Sequence, residues 1–388
     1  MPIINRIAEF HDEITEWRRD FHAHPELLYA VERTAGIVAD KLRSFGCDDV
    51  VTGIGQTGVV GIINGKGGGT RTIGLRADMD ALPMTERTGK PHASTSEGRM
   101  HACGHDGHTA MLLGAAKYLA ETRNFSGRVA LIFQPAEEGG AGGKAMLDDG
   151  LVEKFDIAEF FGMHNWPGMP AGHFGIRAGG IMAATDRFYI DIIGRGGHAA
   201  RPQTTIDPVL VAANMIVGMQ AIVSRNVDPL ANAVLSVTMV EAGEADNVIS
   251  QSAKITGTVR TLDGAVQDQI EDRLNAFVPA LAASFGAEAK LRYARGYPVT
   301  VNAPAQTGFA AEVAREVAGP ERVDADAPPS MGGEDFSFML NQRPGAYIFI
   351  GNGDSSELHT ETYDFNDAVI PAGVSYWVRL VERALPVE

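Results

Sequence analysis

The sequence predicts an α/β protein: a mostly parallel sheet with flanking helices, interrupted by an inserted ferredoxin-like βαββαβ domain. Three observations predict it. Strand-like apolar runs alternate with amphipathic helices up to about residue 183, and the same texture resumes after Tyr297-Pro298, as in a parallel sheet covered by helices. Between 184 and 296 the periodic segments follow the order strand, helix, strand, strand, helix, strand, which is the split ferredoxin-like arrangement. Metal-type and acid–base side chains gather where strands of the first kind end. The expected division is therefore 1–183 and 297–388 for the larger domain, with 184–296 inserted.

Bulk properties narrow the function classes. The chain has 388 residues, 45% hydrophobic and 21% charged, ordinary for a globular protein of two domains. Its formal charge of −16 argues against nucleic acid or an anionic membrane as partner. Residues 1–17 lack a basic-then-apolar leader, and no run approaches eighteen uninterrupted apolar residues, so no membrane association is expected. There are two cysteines, Cys47 and Cys103. Cys103 sits among metal-type ligands and Cys47 reads as a small core hydrophobe, which together suit a reducing, cytoplasmic location.

Taken in order, Ile3, Ile7, Phe10, Ile14, Trp17 and Phe21 recur at helical spacing over 3–22. That helix ends near His24-Pro25, because proline disfavours helix at the residue before it. His22 and His24 read as a helix end or cleft lining, not as ligands. A second helix is expected over 32–45, stopped by Gly46. Residues 53–58 spell G-x-G-x-x-G, but a strand-like run follows where a dinucleotide site needs a helix, so that reading is rejected and 65–69 becomes a hairpin turn. A buried strand at 72–77 leads into Asp78-Met79-Asp80, a helix follows at 108–120, and a strand at 128–133 runs into Gln134-Pro135-Ala136-Glu137-Glu138-Gly139-Gly140. A helix at 143–151 precedes a strand at 157–162 that delivers His164 at its end. Inside the insertion, strands are expected at 186–193, 233–240, 253–262 and 289–294, with helices at 207–224 and 265–285. Helices at 307–318, 336–340 and 372–385 and a strand at 346–351 complete the chain, with His359 after that strand. Ligands of open α/β sheets bind beyond the carboxyl ends of the strands, where Asp80, Glu137, Glu138 and His164 are expected.

The densest chemistry is His101-Ala102-Cys103-Gly104-His105-Asp106-Gly107-His108. Thiolate, imidazole and carboxylate are the usual ligands of zinc and its neighbours. Glycines at 104 and 107 let the loop fold tightly. With Glu138, His164 and His359, Cys103 and His105 make five candidate ligands, more than one tetrahedral catalytic site uses. They suit two metals about 3.5–4 Å apart that share a ligand and a water. Side chains of the adjacent Glu137 and Glu138 diverge in an extended segment, so one can hold metal while the other takes the water proton.

The chain resembles the M20-type metallopeptidases, specifically the amidohydrolase branch of hippurate hydrolases, N-acyl-amino-acid deacylases and auxin-conjugate hydrolases. The likeness runs nearly end to end and is carried by Arg18-Arg19 to Glu26, Leu75 to Pro83, the Cys103 stretch, Gln134 to Gly140, Met163-His164-Asn165, Gly196-Gly197-His198-Ala199-Ala200, Met331 to Phe336, and Leu358 to Asp367. It implies a zinc-exopeptidase-like catalytic domain, with the insertion acting as lid and dimerisation domain. It implies Cys103, His105, Glu138, His164 and His359 as ligands of two divalent ions (Zn, Mn, Co or Ni), with Cys103 as the bridge. It implies Glu137 as general base, Asp80 as the acid supporting the site from behind the ligands, and His198 as a histidine that reaches a neighbouring subunit's site to stabilise an oxyanion. Asn247 and Arg260 are implied contacts for a substrate carboxylate, and Gly332 and Gly333 a backbone platform beside it. His101, Asp106 and His108 match the motif without counting as ligands and orient the loop. Ser250, where proline is usual, and Thr360-Glu361 depart from the pattern and bear on specificity.

The expected activity is hydrolysis of N-acyl amino acids by a homodimer or homotetramer. A dipeptidase or aminopeptidase of the same fold is the alternative, and a non-catalytic metal- or peptide-binding module a third.

Overall fold

The structure, a computed structural model, describes residues 4–387. The chain divides into two compact units. One comprises Met1–Gly179, Val301–Pro328 and Asp335–Glu388, the other Gly180–Thr300 and Pro329–Glu334.

An eight-stranded sheet organises the larger unit, in the order Asp49–Ile54, Gly58–Asn64, Arg128–Gln134, Thr72–Asp78, Ile157–Pro167, Gly345–Gly353, Phe174–Gly175, Val323–Asp324. Arg128–Gln134, Thr72–Asp78, Ile157–Pro167 and Gly345–Gly353 are the parallel centre. Every residue of Thr72–Asp78 is buried, as a strand covered on both faces requires. The helix His105–Thr122 is buried along almost its whole length. It shares one core with Ile14, Trp17 and Phe21 of His11–Ala23, Leu75 and Phe133 of the sheet, and Val374, Trp377 and Leu380 of Ile370–Ala384.

Several elements differ from expectation for identifiable reasons. The helix expected over 3–22 is two helices, Asn5–Glu9 and His11–Ala23, abutting at Phe10 (Ile3 lies outside the described residues). Glu32–Phe45 ends at Gly46 as expected, because a left-handed residue there (φ 83°) lets Gly46 and Cys47 bond back to Arg43 and Leu42. The Gly65–Gly69 stretch is not a hairpin turn. The hairpin lies earlier, between Asp49–Ile54 and Gly58–Asn64, while Gly58–Asn64 and Thr72–Asp78 flank the same strand, Arg128–Gln134, on opposite sides. Glycine is needed at 65 for close packing, since a Cβ there would sit 2.1 Å from the Phe125 carbonyl oxygen. His164 lies within its strand, which runs on to Pro167. Because Arg76 pairs with Gly162, His164 is level with Asp78, the end of the neighbouring strand.

The smaller unit has the order Ala184–Ile193, Pro208–Ala221, Ala233–Ala242, Ser252–Thr261, Gly264–Ser284, Glu288–Ala294. Its strands form an antiparallel sheet ordered Ala233–Ala242, Ser252–Thr261, Ala184–Ile193, Glu288–Ala294, a ferredoxin-like βαββαβ arrangement. Alternating burial along Ala184–Ile193 turns one face of the sheet to a second core of Phe188, Ile190, Met215, Ile255, Leu274 and Val278. Asp207 and Asp263 cap the two helices, accepting from the backbone N–H groups of Val209 (2.9 Å) and Ala265 (2.7 Å). Among the described residues, Pro208–Asn226 is long and apolar enough to cross a membrane by length and composition. Its inner face, Val211, Ala212, Met215 and Met219, belongs to the second core.

The first long helix also delivers charge into the larger core. Arg18 is fully buried and donates to Asp367 (2.7 Å) and Asp364 (3.0 Å), with Asp106 at 3.4 Å. His22 donates from Nδ1 to Asp106 (2.8 Å) and from Nε2 to Glu86 (3.3 Å). Burial works against the His22 imidazolium, but Asp106 and Glu86 outweigh it and hold its pKa up at about 9. A histidine raised from its unfolded value of about 6.5 stabilises the fold fully below that pH, and the contribution is lost as pH rises through the folded value. Denaturant unfolding should therefore show stability falling between pH 6.5 and 9. His22→Gln should be less stable than wild type at pH 6.5 and should fall less steeply across that window. An unchanged slope in the variant would show that His22 is not charged in the fold.

Candidate metal centre

Two backbone turns set the stage. Ala136 adopts a left-handed conformation (φ 55°), and its N–H donates to the Leu28 carbonyl (3.2 Å). The turn aims the next two N–H groups at one carboxylate: Asp80 accepts from Glu137 at 2.9 Å and from Glu138 at 3.1 Å. Gly104, at φ 92°, leads into the helix that begins with His105. A Cβ there would lie 2.1 Å from the Asn165 side-chain oxygen and 2.6 Å from the Tyr363 hydroxyl, so only glycine fits between Cys103 and His105. His359 is also left-handed (φ 60°), and its N–H donates to the Ala102 carbonyl (2.8 Å). That bond ties the last ligand segment to the first.

The five candidate ligands and Glu137 converge. Cys103 Sγ lies 3.4 Å from His164 Nε2, His359 Nε2 lies 3.2 Å from Glu138 Oε1, and His105 Nε2 lies 4.0 Å from the same oxygen. Among the sequence candidates alone, three overlapping sets have their donor atoms within 4.8 Å of one another: Cys103, His105 and His164; Cys103, Glu138 and His359; His105, Glu137 and Glu138. The overlap suits neighbouring cations that share a ligand better than one isolated ion. Both buried imidazoles are oriented for it. His105 donates from Nδ1 to the Asp80 carbonyl (2.8 Å) and His164 from Nδ1 to the Asn165 carbonyl (2.7 Å), so each presents Nε2 inward. Among the described residues, His105 Nε2 is buried without a hydrogen-bond partner, and the buried Glu138 Oε1 faces the His359 and His105 rings. An unpartnered imidazole nitrogen beside a carboxylate and a cysteine sulfur fits divalent metal ions.

The electrostatics agree. Burial, with Glu138, Glu137 and Asp78 nearby, pushes the Cys103 thiol well above its usual range, so a bound cation must displace its proton. Burial and neighbouring His108 keep His164 neutral, its pKa well below the usual value. Burial opposes ionisation of Glu138, but His359 and His105 hold its pKa down.

Asp78 was not among the candidates chosen from sequence. It is fully buried, accepts from His108 Nδ1 (2.6 Å) and Arg76 (2.7 Å), and lies 3.7 Å from His105 Nε2. The signal was present: Arg76, Asp78 and Asp80 alternate, so period two puts them on one face at a strand end. Arg76 also donates to Asp335 (3.0 Å), whose N–H reaches Glu137 Oε1 (3.4 Å). His108 Nε2 lies 2.8 Å from the Asn165 side-chain oxygen, and Asp106 binds His22. His101 is buried with neither ring nitrogen partnered.

In the smaller unit, His198 is exposed and pairs in register with Val248, while Ala199 N–H donates to the Asn247 carbonyl (3.0 Å). His198 and Asn247 thus share one corner. Arg260 is half-buried opposite Thr185. Gly333 packs so closely on Thr185 that a Cβ would lie 2.1 Å from its methyl group. Gly332 accepts from Ala183 N–H (2.8 Å). Arg260, Gly332 and Gly333 therefore form a second group beside Thr185.

Comparison with known proteins follows this geometry. A profile of Peptidase family M20/M25/M40 matches residues 74–383. The chain is 43% identical over 385 residues to hippurate hydrolase of Campylobacter jejuni, covering 99% of this chain and 100% of that one. It is 39% identical over 354 residues to N-acetyl-L-cysteine deacetylase of Bacillus subtilis, covering 91% and 83%. A dinuclear metal binding peptidase from the M20 family of Bacillus subtilis superposes with a TM-score of 0.87 at 32% identity, covering 98% of this chain and all of that one. The likeness runs over nearly the whole chain, and the chain belongs to peptidase family M20/M25/M40.

Proposed function

We propose that the protein is a metal-dependent amidohydrolase that cleaves the amide bond of N-acyl amino acids, releasing a carboxylate and a free amino acid. The observation that carries this reading is the set of three overlapping donor groups with Glu137 among them. Hippurate hydrolase and N-acetyl-L-cysteine deacetylase, the two relatives named above, support the substrate class. Cys103, His105, Glu138, His164 and His359 would hold two divalent ions, of zinc, manganese, cobalt or nickel. When bound, such a pair lowers the pKa of water and polarises a carbonyl.

The chain's own residues do the rest. Glu137 takes a proton from the attacking water and passes it to the departing amine nitrogen as the C–N bond breaks. Asp335 N–H, at Glu137 Oε1, and Asp80, holding the Glu137 and Glu138 amides, restrict that carboxylate to one orientation. His198 from a neighbouring subunit stabilises the oxyanion. Asn247 and Arg260 receive the substrate carboxylate, with Gly332 and Gly333 as backbone platform. Self-association into a homodimer or homotetramer through the smaller unit is supported by its exposed apolar residues, Leu210 and Val217 on one helix and Met239 and Val240 on an edge strand. Unpaired Cys47 and Cys103 support work in the cytoplasm.

Glu137→Gln should retain metal and lose about 10²–10⁴-fold in kcat, measured on N-acetyl and N-benzoyl amino acids with dipeptides as controls. Near wild-type turnover with metal bound would remove Glu137 from its role, and cleavage of the dipeptides alone would shift the assignment to a dipeptidase. Cys103→Ser should lower both metal content and rate after dialysis, read by elemental analysis beside the assay. Asp80→Asn replaces one acceptor with a donor facing an amide N–H. It should weaken metal binding about 10–100-fold, seen by titration with Zn²⁺ or Co²⁺.

A further inference from the structure

The larger unit hides its apolar residues well. Among its described residues, the large hydrophobic side chains left exposed are Leu28, at 41%, Val301 and Val387. Leu28 is unusual in a second way. Ala30 N–H donates to the Leu27 carbonyl (2.9 Å), closing a four-residue turn in which Leu28 is the first central residue. Leu28 has φ 50°, whereas Tyr29 is outside the left-handed region. Positive φ at the first central position only is the pattern of a type II′ turn, where glycine is the ordinary occupant. A leucine there costs backbone strain and is still left 41% exposed. Strain of this kind concentrates where a side chain serves a site.

The turn is held against the proposed catalytic segments on both flanks. Leu27 bridges Ala81, and Ala81 N–H donates to the Glu26 carbonyl (2.8 Å), one residue after Asp80. The Leu28 carbonyl accepts from Ala136, itself left-handed and directly before Glu137. The Tyr29 hydroxyl donates to the Gly140 carbonyl (2.7 Å). The Glu26 carboxylate caps the following helix by accepting from Arg33 and Thr34 N–H, at 3.0 and 2.7 Å. The backbone on either side of Leu28 is thus fastened to the segments that carry Asp80 and Glu137, while Leu28 itself stays 41% exposed.

We propose that Leu28 is a specificity-determining residue whose side chain contacts the acyl group of the substrate and favours large apolar acyl groups over small ones. This rests on the N-acyl amino acid reading. There, Glu137 works at the scissile amide, whose carbonyl carbon carries the acyl group, so that group belongs with the segments that hold Glu137. An exposed leucine supplies what a benzoyl or long-chain acyl group needs and an acetyl group cannot fill.

The test compares kcat and KM for N-benzoyl- and N-acetylglycine in wild type, Leu28→Ala and Leu28→Gly, with thermal melting of each metal-loaded protein. Removing this contact should cut kcat/KM for the benzoyl substrate by about tenfold or more, mainly through KM, and that for the acetyl substrate by less than about threefold. Leu28→Gly should melt above Leu28→Ala, because glycine accepts the left-handed backbone. A benzoyl-to-acetyl ratio unchanged in both variants overturns the proposal, as does an equal loss on both substrates that tracks the melting temperature. If wild type cleaves neither substrate, it is the N-acyl amino acid reading that fails, and the ratio is never reached.

Discussion

Burying carboxylates together is the constraint around which the larger unit is built. Asp78, Asp80, Glu137 and Asp335 are all buried at one edge of the sheet, with Glu138 beside them. In a low-dielectric interior such a group repels itself unless cations or donors answer every charge. Arg76 answers Asp78 and Asp335, two backbone amides answer Asp80, and His108 shares Asp78. What remains, on Glu138 and the Cys103 sulfur, faces the imidazoles of His105, His164 and His359. A divalent cation satisfies that remainder, so metal affinity and the stability of this corner are two expressions of one balance.

Behind the donor set lies a second tier with a different purpose. Arg18 and His22 come from the first long helix, Glu86 from a loop, Asp106 from the start of the central helix, and Asp364 and Asp367 from beyond His359. None of them supplies a donor to the three overlapping sets. They tie the first long helix and the Glu86 loop to the stretches next to His105 and after His359, by ion pairs that breaking would leave uncompensated. A purely apolar interior could not fix the register of His359 against Ala102 so tightly.

Much of this was legible in the sequence, for physical reasons that differ by feature. The helix Glu32–Phe45 shows itself because amphipathic spacing and a glycine stop are local signals. The donors show themselves because so few residue types bind transition metals. Asp78 does not stand out in sequence because a carboxylate at a strand end looks the same whether it faces candidate ligands or a structural arginine, and only the fold reveals that it faces both. The Gly65–Gly69 stretch is ambiguous in sequence because a glycine run is compatible with a tight turn or a close-packed crossover. The choice depends on Arg128–Gln134, which comes more than fifty residues later. His164 was put at the end of its strand because apolar pattern stops at polar residues, whereas hydrogen bonding to Gly345–Gly353 carries that strand to Pro167.

The bond from His359 to Ala102 also has a meaning in time. A ribosome makes Cys103 and His105 early, then Glu138 and His164, then the whole smaller unit with its separate core, and His359 only afterwards. At about 5–20 residues per second the early ligands wait for many seconds before the last one arrives. During that interval a nascent chain holds cysteine, histidine and carboxylate in partial sets, able to catch a metal ion without enclosing it. The candidate donor set is therefore complete only after His359 has been made, and the order of the chain fixes that earliest moment.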